Sequence, residues 1–315
     1  MGIAKTKDLR CTTKILVPLD GSTTAEVVLP YACALATAFS APVHLLQVMD
    51  LETLIPSAAA QQGRSHNVLT TEREHNGQYL KELTASFSDP AAVSFSVRVG
   101  RPAEVIIEVA GANHDTLIAM ATHGRSGIRR WLLGSVAEKV LHGASTDVLL
   151  IRATEQSART RAAQLERVLV PLDGSELAEK TLPCAVELAK KMNLELIVLR
   201  VYLMPGVAYP AGSCAPDWKL LEQEKREIAI EYLEGKIRQL RSEGFERVSF
   251  RVLEGSAAEK IIDLARENPE TLIAMSTHGA SGAGRRVFGS ITERVIRHSE
   301  TAVLVARAKS ADSTS

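Results

Sequence analysis

Two short segments carry residue types that could hold a small anionic molecule, and each occurs twice. The first is Pro18-Leu-Asp20-Gly-Ser22, which returns as Pro171-Leu-Asp173-Gly-Ser175. A carboxylate directly after an apolar run can accept hydrogen bonds from sugar hydroxyls or ligate a metal. It can equally order the Asp-Gly-Ser turn or cap the helix that follows. The second segment is Gly124, nine residues, then Gly134-Ser135, which returns as Gly279, nine residues, then Gly289-Ser290. Glycines let the backbone approach phosphate oxygens, and the amides and hydroxyl at a helix start hold the anion. The plainer alternative is a turn and a helix start. Arg125, Arg129 and Arg130, with Arg285 and Arg286 in the second copy, can bind polyphosphate or form a solvated basic loop. His123 and His278 read as loop residues bonded to backbone, because no carboxylate partner lies nearby in sequence. Trp131 and Phe288 read as packing residues.

Several catalytic patterns are missing. The chain has no G-x-x-x-x-G-K-[ST], so a P-loop is not spelled out. Gly124-Arg-Ser-Gly127 and Gly279-Ala-Ser-Gly282 miss the spacing of a nucleophile elbow. No H-E-x-x-H and no Cys/His cluster marks a metal centre. The expectation is binding with weak or no catalysis, and no catalytic residue is assigned.

The elements that must position these residues are also written twice. Lys14-Ile-Leu-Val-Pro-Leu-Asp-Gly-Ser22 matches Arg167-Val-Leu-Val-Pro-Leu-Asp-Gly-Ser175, and Thr116-Leu-Ile-Ala-Met120 matches Thr271-Leu-Ile-Ala-Met275. The order is preserved throughout, so two domains are expected at 1–153 and 165–308, with a polar linker at 154–164 and a tail at 309–315. In the first half, apolar runs predict strands at 15–19, 43–48, 93–99, 116–121 and 147–152. Helices are predicted at 25–39, 68–87, 102–112 and 135–142, and the second half repeats them. Pro30 and Pro183 either kink the first helix or sit in the first turn of one that begins later. The charged stretch 218–241 reads as a helix with a solvated face. Strand-helix alternation implies an α/β fold: tandem doubly wound domains, each a five-stranded parallel sheet with helices on both faces. Ligands then sit outside the carboxyl ends of the strands, where both repeated segments fall.

Composition narrows the function classes. The 315 residues carry 37 Lys+Arg and 37 Asp+Glu, so no global charge is present to hold a polyanion. Aromatics are only 4%, too few for stacking platforms. Neither nucleic acid nor membrane is an expected partner, since no run of ~18 apolar residues occurs. Cys11, Cys33, Cys184 and Cys214 form no C-x-x-C pair, Cys33 and Cys184 read as small buried hydrophobes, and a reducing cytoplasm is the expected compartment.

The strand-one Val-Pro-x-Asp-Gly-Ser, the Thr-His-Gly loop and the Gly-Ser-Val-x-Glu-x-Val helix start resemble the universal stress protein family, twice over, as in its tandem members. Family members that bind ATP carry G-x-x-G, nine residues, then G-[ST]. Here the first glycine is Ala121 in one half and Ser276 in the other. The resemblance implies ATP, with or without Mg, as a regulatory ligand of a stress response. Pro18, Asp20, Pro171 and Asp173 would face its adenosine portion, with Val48 and Val201 beside the adenine. Gly124, Gly134, Ser135, Gly279, Gly289 and Ser290 would cradle its phosphates. The second half is the favoured binder, because Ser276 and Thr292 add hydroxyls. Ala121 and Ser276 support the rival reading of a nucleotide-free scaffold with protein partners; the aspartates and basic loops support a slow ATP hydrolase. The apolar last strands, 146–152 and 301–306, would leave open sheet edges. Pairing one with the other gives an intramolecular pseudo-dimer, and pairing between chains gives a homodimer.

Overall fold

The computed structural model describes residues 12–50, 65–113, 115–123, 133–153, 163–204, 217–277 and 289–307. By internal contacts the chain divides into two units. The first contains Met1–Gln164 and Ala302–Arg307, the second Leu165–Thr301 and Ala308–Ser315.

In the first unit, short apolar runs form β1 (Lys14–Leu19), β2 (Val43–Asp50), β3 (Val93–Gly100), β4 (Thr116–Ala121) and β5 (Val148–Ile151). They lie parallel in the order β3-β2-β1-β4-β5. All six residues of β4 and all four of β5 are buried, as strands covered by helices on both faces require. At the outer position β3 carries exposed Phe95 and Val99. The helices are α1 (Thr23–Glu26), α2 (Leu29–Phe39), α3 (Ser65–Thr84), α4 (Pro102–Gly111) and α5 (Ser135–Gly143).

The second unit repeats the plan with β6 (Arg167–Pro171), β7 (Glu195–Tyr202), β8 (Val248–Glu254) and β9 (Thr271–Ser276), parallel in the order β8-β7-β6-β9. Its helices are α6 (Glu176–Glu179), α7 (Leu182–Met192), α8 (Trp218–Ser242), α9 (Ala257–Arg266) and α10 (Ser290–His298). The last strand of the repeat, β10 (Ala302–Ala306), belongs by contacts to the first unit. There it runs antiparallel to β5, with Val303 opposite Leu150, Leu304 opposite Leu149 and Val305 opposite Val148. The backbone N–H of Arg307 donates to Asp147 Oδ1 at 2.7 Å just beyond it. Cysteines placed at Leu149 and Leu304 should therefore crosslink within one chain, at a yield independent of protein concentration. A concentration-dependent, interchain product on a non-reducing gel would contradict this register.

The prolines resolve in favour of the later helix start. The predicted helix 25–39 is two helices, a single turn (α1) and then α2, with Pro30 in the first turn of α2, where its missing N–H costs nothing. Pro183 sits likewise in α7. Both α2 and α7 end on a left-handed residue, Ser40 (φ 50°) and Asn193 (φ 55°). The helix predicted over 68–87 runs Ser65–Thr84, three residues earlier at each end. Cys33 and Cys184 are free thiols, half-buried rather than fully buried, and burial pushes the Cys33 thiol up to about 11. No helix among the described residues is long and apolar enough to cross a membrane.

Candidate functional site

The sheet order reverses between β1 and β4, which are hydrogen-bonded neighbours whose sequence successors lie on opposite sides. The crevice outside their carboxyl ends is where a doubly wound sheet receives ligands. In the first unit the β1 side is the Asp20 turn. Asp20 Oδ1 accepts from the Ser22 amide at 3.0 Å and the Ser22 hydroxyl at 2.6 Å. Ser22 Oγ in turn accepts from the Ala25 amide and caps α1. Gly21, at φ 80°, supplies the left-handed residue this turn needs. The second unit builds the same turn: Asp173 Oδ1 accepts from the Ser175 amide at 3.0 Å and hydroxyl at 2.6 Å, and Ser175 caps α6. One carboxylate oxygen thus orders the turn in each unit, as the capping alternative expected. Pro18 lies in β1, Pro171 ends β6, and Val48 and Val201 lie near the ends of β2 and β7.

The β4 side is a clasp between strand end and helix start. Ala121 closes β4 with a buried methyl, and Thr122 donates its amide to Ile151 O at 2.8 Å. The Gly134 amide donates to Thr122 O at 2.8 Å, and Gly134 then serves as N-cap of α5, with Ser135 its first residue. A Cβ on Gly134 would stand 2.9 Å from that carbonyl oxygen, so the clasp itself demands glycine. In the second unit Gly289 donates to Thr277 O at 2.9 Å and caps α10, which begins at Ser290. Ser276 ends β9, and buried Thr292 donates its hydroxyl to Ser276 O at 3.0 Å. That proton points at backbone, so the Thr292 hydroxyl is engaged within the fold. Both α5 and α10 thus start beside the residue that follows β4 or β9, and a helix start is a setting suited to an anion. Gly124 and Gly279 lie outside the described residues, as do Arg125, Arg129, Arg130, Trp131, His278, Arg285, Arg286 and Phe288.

His123 follows the clasp. Its Nδ1 pairs with Thr122 Oγ1 at 3.0 Å, and its buried Nε2 has no hydrogen-bond partner among the described residues. Burial, then the Arg152 cation, hold its pKa below the ordinary histidine value, so the neutral ring is favoured in the fold. Among the described residues no group of three His, Cys, Asp or Glu side chains could hold a metal ion.

Reasoning from the sequence missed the polar residues beneath the strand-one turn. In the first unit Glu26 accepts from the Tyr79 hydroxyl at 2.9 Å, and Gln47, buried at 3% exposure beside Leu19, has an Oε1 with no partner among the described residues. In the second unit Glu179 accepts from the Tyr232 hydroxyl at 2.7 Å and from Lys236 Nζ at 2.6 Å, and the Arg200 guanidinium lies 5.1 Å from the Tyr232 ring centroid. The repeat held the signal: Gln47 and Arg200 are polar residues at equivalent positions, each between two apolar neighbours, Leu46 and Val48 in β2 and Leu199 and Val201 in β7. Burial raises the pKa of Glu179, but the hydrogen bonds from Lys236 and Tyr232 and the Lys236 charge outweigh it and hold the carboxyl below its usual range. The resulting stability is present above the unfolded value near 4.5 and is lost as pH falls through the depressed native value. Lys236→Leu should therefore move the acid unfolding midpoint of the second unit to higher pH, read by circular dichroism, and leave the curve above pH 6 nearly unchanged.

Comparison with known proteins places this geometry. The sequence model of the universal stress protein family matches residues 12–152 and again 164–307. A universal stress protein of Mycolicibacterium smegmatis is 24% identical over 299 residues, covering 93% of this chain and 96% of its own. One from Mycobacterium tuberculosis is 26% identical over 308 residues, with coverage of 93% and 96%. The crystal structure of a universal stress protein from Archaeoglobus fulgidus covers 94% of this chain and 97% of its own, at a TM-score of 0.63 and 23% identity, a likeness of fold. With the two family matches spanning nearly all of the sequence, in register with the two copies of the strand-one turn and the glycine clasp, the chain belongs to the universal stress protein family and carries that domain twice.

Proposed function

We propose that this protein binds an adenine nucleotide, ATP with or without Mg, as a conformational signal in a stress response. The observation that carries the reading is the doubled clasp, Gly134 on Thr122 and Gly289 on Thr277, which sets a helix start beside the strand-one aspartate turn in each unit. The residues fit the ligand: a glycine stands where a side chain would fill the cradle, and free-ended helix amides favour phosphate. Gly124, Gly134 and Ser135, with Gly279, Gly289 and Ser290, take the phosphates. Asp20 and Asp173 take the ribose. Val48 and Val201, with Pro18 and Pro171, line the base. The domains run 1–153 and 165–308 about a linker at 154–164, and the protein works in the cytoplasm. Turnover is absent or slow, because neither a P-loop lysine nor an activated nucleophile is present. Steady hydrolysis faster than roughly one per second, within the usual enzyme range, would contradict that if Asp20→Ala or Asp173→Ala abolished it.

A second reading has its own observation. Ala121, at the place of the ATP motif's first glycine, buries a methyl group at the mouth of the first crevice, and this favours a nucleotide-free scaffold for protein partners there. The deciding experiment is denaturation of freshly purified protein, followed by chromatography of the supernatant, with calorimetry of the stripped protein against ATP. Released adenine nucleotide or a measurable heat supports the first reading. No affinity at millimolar ATP selects the scaffold.

A further inference from the structure

The two crevices are built alike but are not electrically alike. In each unit a tyrosine of the long helix donates to the glutamate of the single-turn helix: Tyr79 to Glu26, Tyr232 to Glu179. Around this shared pair the first unit has Gln47 and Leu83, whereas the equivalent positions of the second unit, 153 residues later, hold Arg200 and Lys236. Lys236 is accounted for by its ion pair with Glu179 at 2.6 Å. Arg200 is not. It precedes Val201 and lies against the strand-one turn: a Cβ on Gly174 would stand 2.7 Å from its Nη1. Gly174, at φ 84°, thus supplies both the left-handed turn residue and the space for the guanidinium. The other face stacks over Tyr232 at 5.1 Å. Held between turn and ring, Nη1 is buried and has no hydrogen-bond partner among the described residues.

A buried donor on a cation, left without an acceptor, is costly, and native interiors seldom leave one. Arg200 lies against Gly174, next in sequence to Asp173, and precedes Val201; Asp173 and Val201 are assigned above to ribose and base. At the equivalent place the first unit leaves an amide oxygen, Gln47 Oε1, without a partner, and adds no charge. We infer that Arg200 is the specificity residue of the second unit, making it the crevice that selects polyanionic nucleotides over the uncharged nucleoside, while the first unit, with Gln47, discriminates far less. This rests on the nucleotide-binding reading and adds to it the half and the cause.

The test uses the full chain and two probes that share base and sugar, ATP and adenosine. Calorimetry of the wild type should show one tight ATP site that binds adenosine much more weakly. Loss of a charge-assisted bond in Arg200→Gln should weaken ATP by about 10–100-fold and change adenosine by no more than about threefold. Arg200→Lys, which keeps charge but not the planar fork, should fall between. Gln47→Arg should bring a second ATP site into range. A merely structural Arg200 would weaken both probes equally and lower the unfolding midpoint. That outcome, or unchanged ATP affinity in Arg200→Gln, overturns the inference while nucleotide binding stands. A wild type that binds neither probe overturns the nucleotide reading and the inference with it.

Discussion

Ending the chain at Thr301 should leave the first unit unable to hold its fold. The removed strand β10 is buried throughout, with Val303, Leu304 and Val305 at 3%, 4% and 0% exposure. Burying three such side chains is worth roughly 5–9 kcal/mol, an upper figure that already rivals the ~5–15 kcal/mol stability of a whole domain. The backbone loses as well. Leu149 and its neighbours on β5 would present unpaired N–H and C=O groups along an apolar edge, a template for association. The expected result is a chain that aggregates or dimerises on size exclusion and unfolds at much lower urea than the full-length protein. Leu304→Ala gives the graded version, at about 2–5 kcal/mol. A truncated chain that stays monomeric with an unchanged urea midpoint would show that β10 contributes nothing to the first unit.

Gly134→Val should cost roughly 2–4 kcal/mol, before any ligand is considered. At φ −63° the backbone would accept any residue. The obstacle is the 2.9 Å approach of a new Cβ to Thr122 O, the same oxygen that accepts the Gly134 amide at 2.8 Å. The clash is with backbone held between β4 and α5, so relieving it means breaking the clasp. Gly134→Ala should be milder but still destabilising, and equilibrium urea unfolding measures both. If Gly134→Val unfolds like the wild type, the clasp is slack. The same prediction changes how a binding defect should be read: lost ATP affinity in Gly134→Val reports the collapsed helix start as much as the phosphate contact. Ser135→Ala and Ser290→Ala, which remove a hydroxyl and leave the clasp whole, are the cleaner probes of phosphate binding. Each should weaken ATP by about 2–10-fold, as one lost hydrogen bond does.

Much of this was legible in the sequence because it depends on local pattern. The repeated apolar runs ending in Asp20-Gly-Ser22 and Asp173-Gly-Ser175 determined buried parallel strands, a capped turn after each, and a duplicated α/β domain. The doubled Gly134-Ser135 and Gly289-Ser290 determined where a helix restarts beside a strand end. Periodicity and turn chemistry act over a few residues, so a sequence states them directly. Tertiary structure decided the rest. The apolar last strands announced that each needs a partner, but that β10 takes β5 of its own chain, antiparallel and with Leu304 opposite Leu149, and not a strand of another chain, is a choice no local signal encodes. That Gly134 is required by a carbonyl oxygen, and not by its own dihedral angles, appears only once Thr122 is beside it. The engagement of the Thr292 hydroxyl by Ser276, and the wedging of Arg200 between Gly174 and Tyr232, follow likewise from packing between elements far apart in sequence. Residue type gives a side chain its chemistry, but only the neighbours that folding brings to it decide whether its donors are spent or remain to meet a ligand.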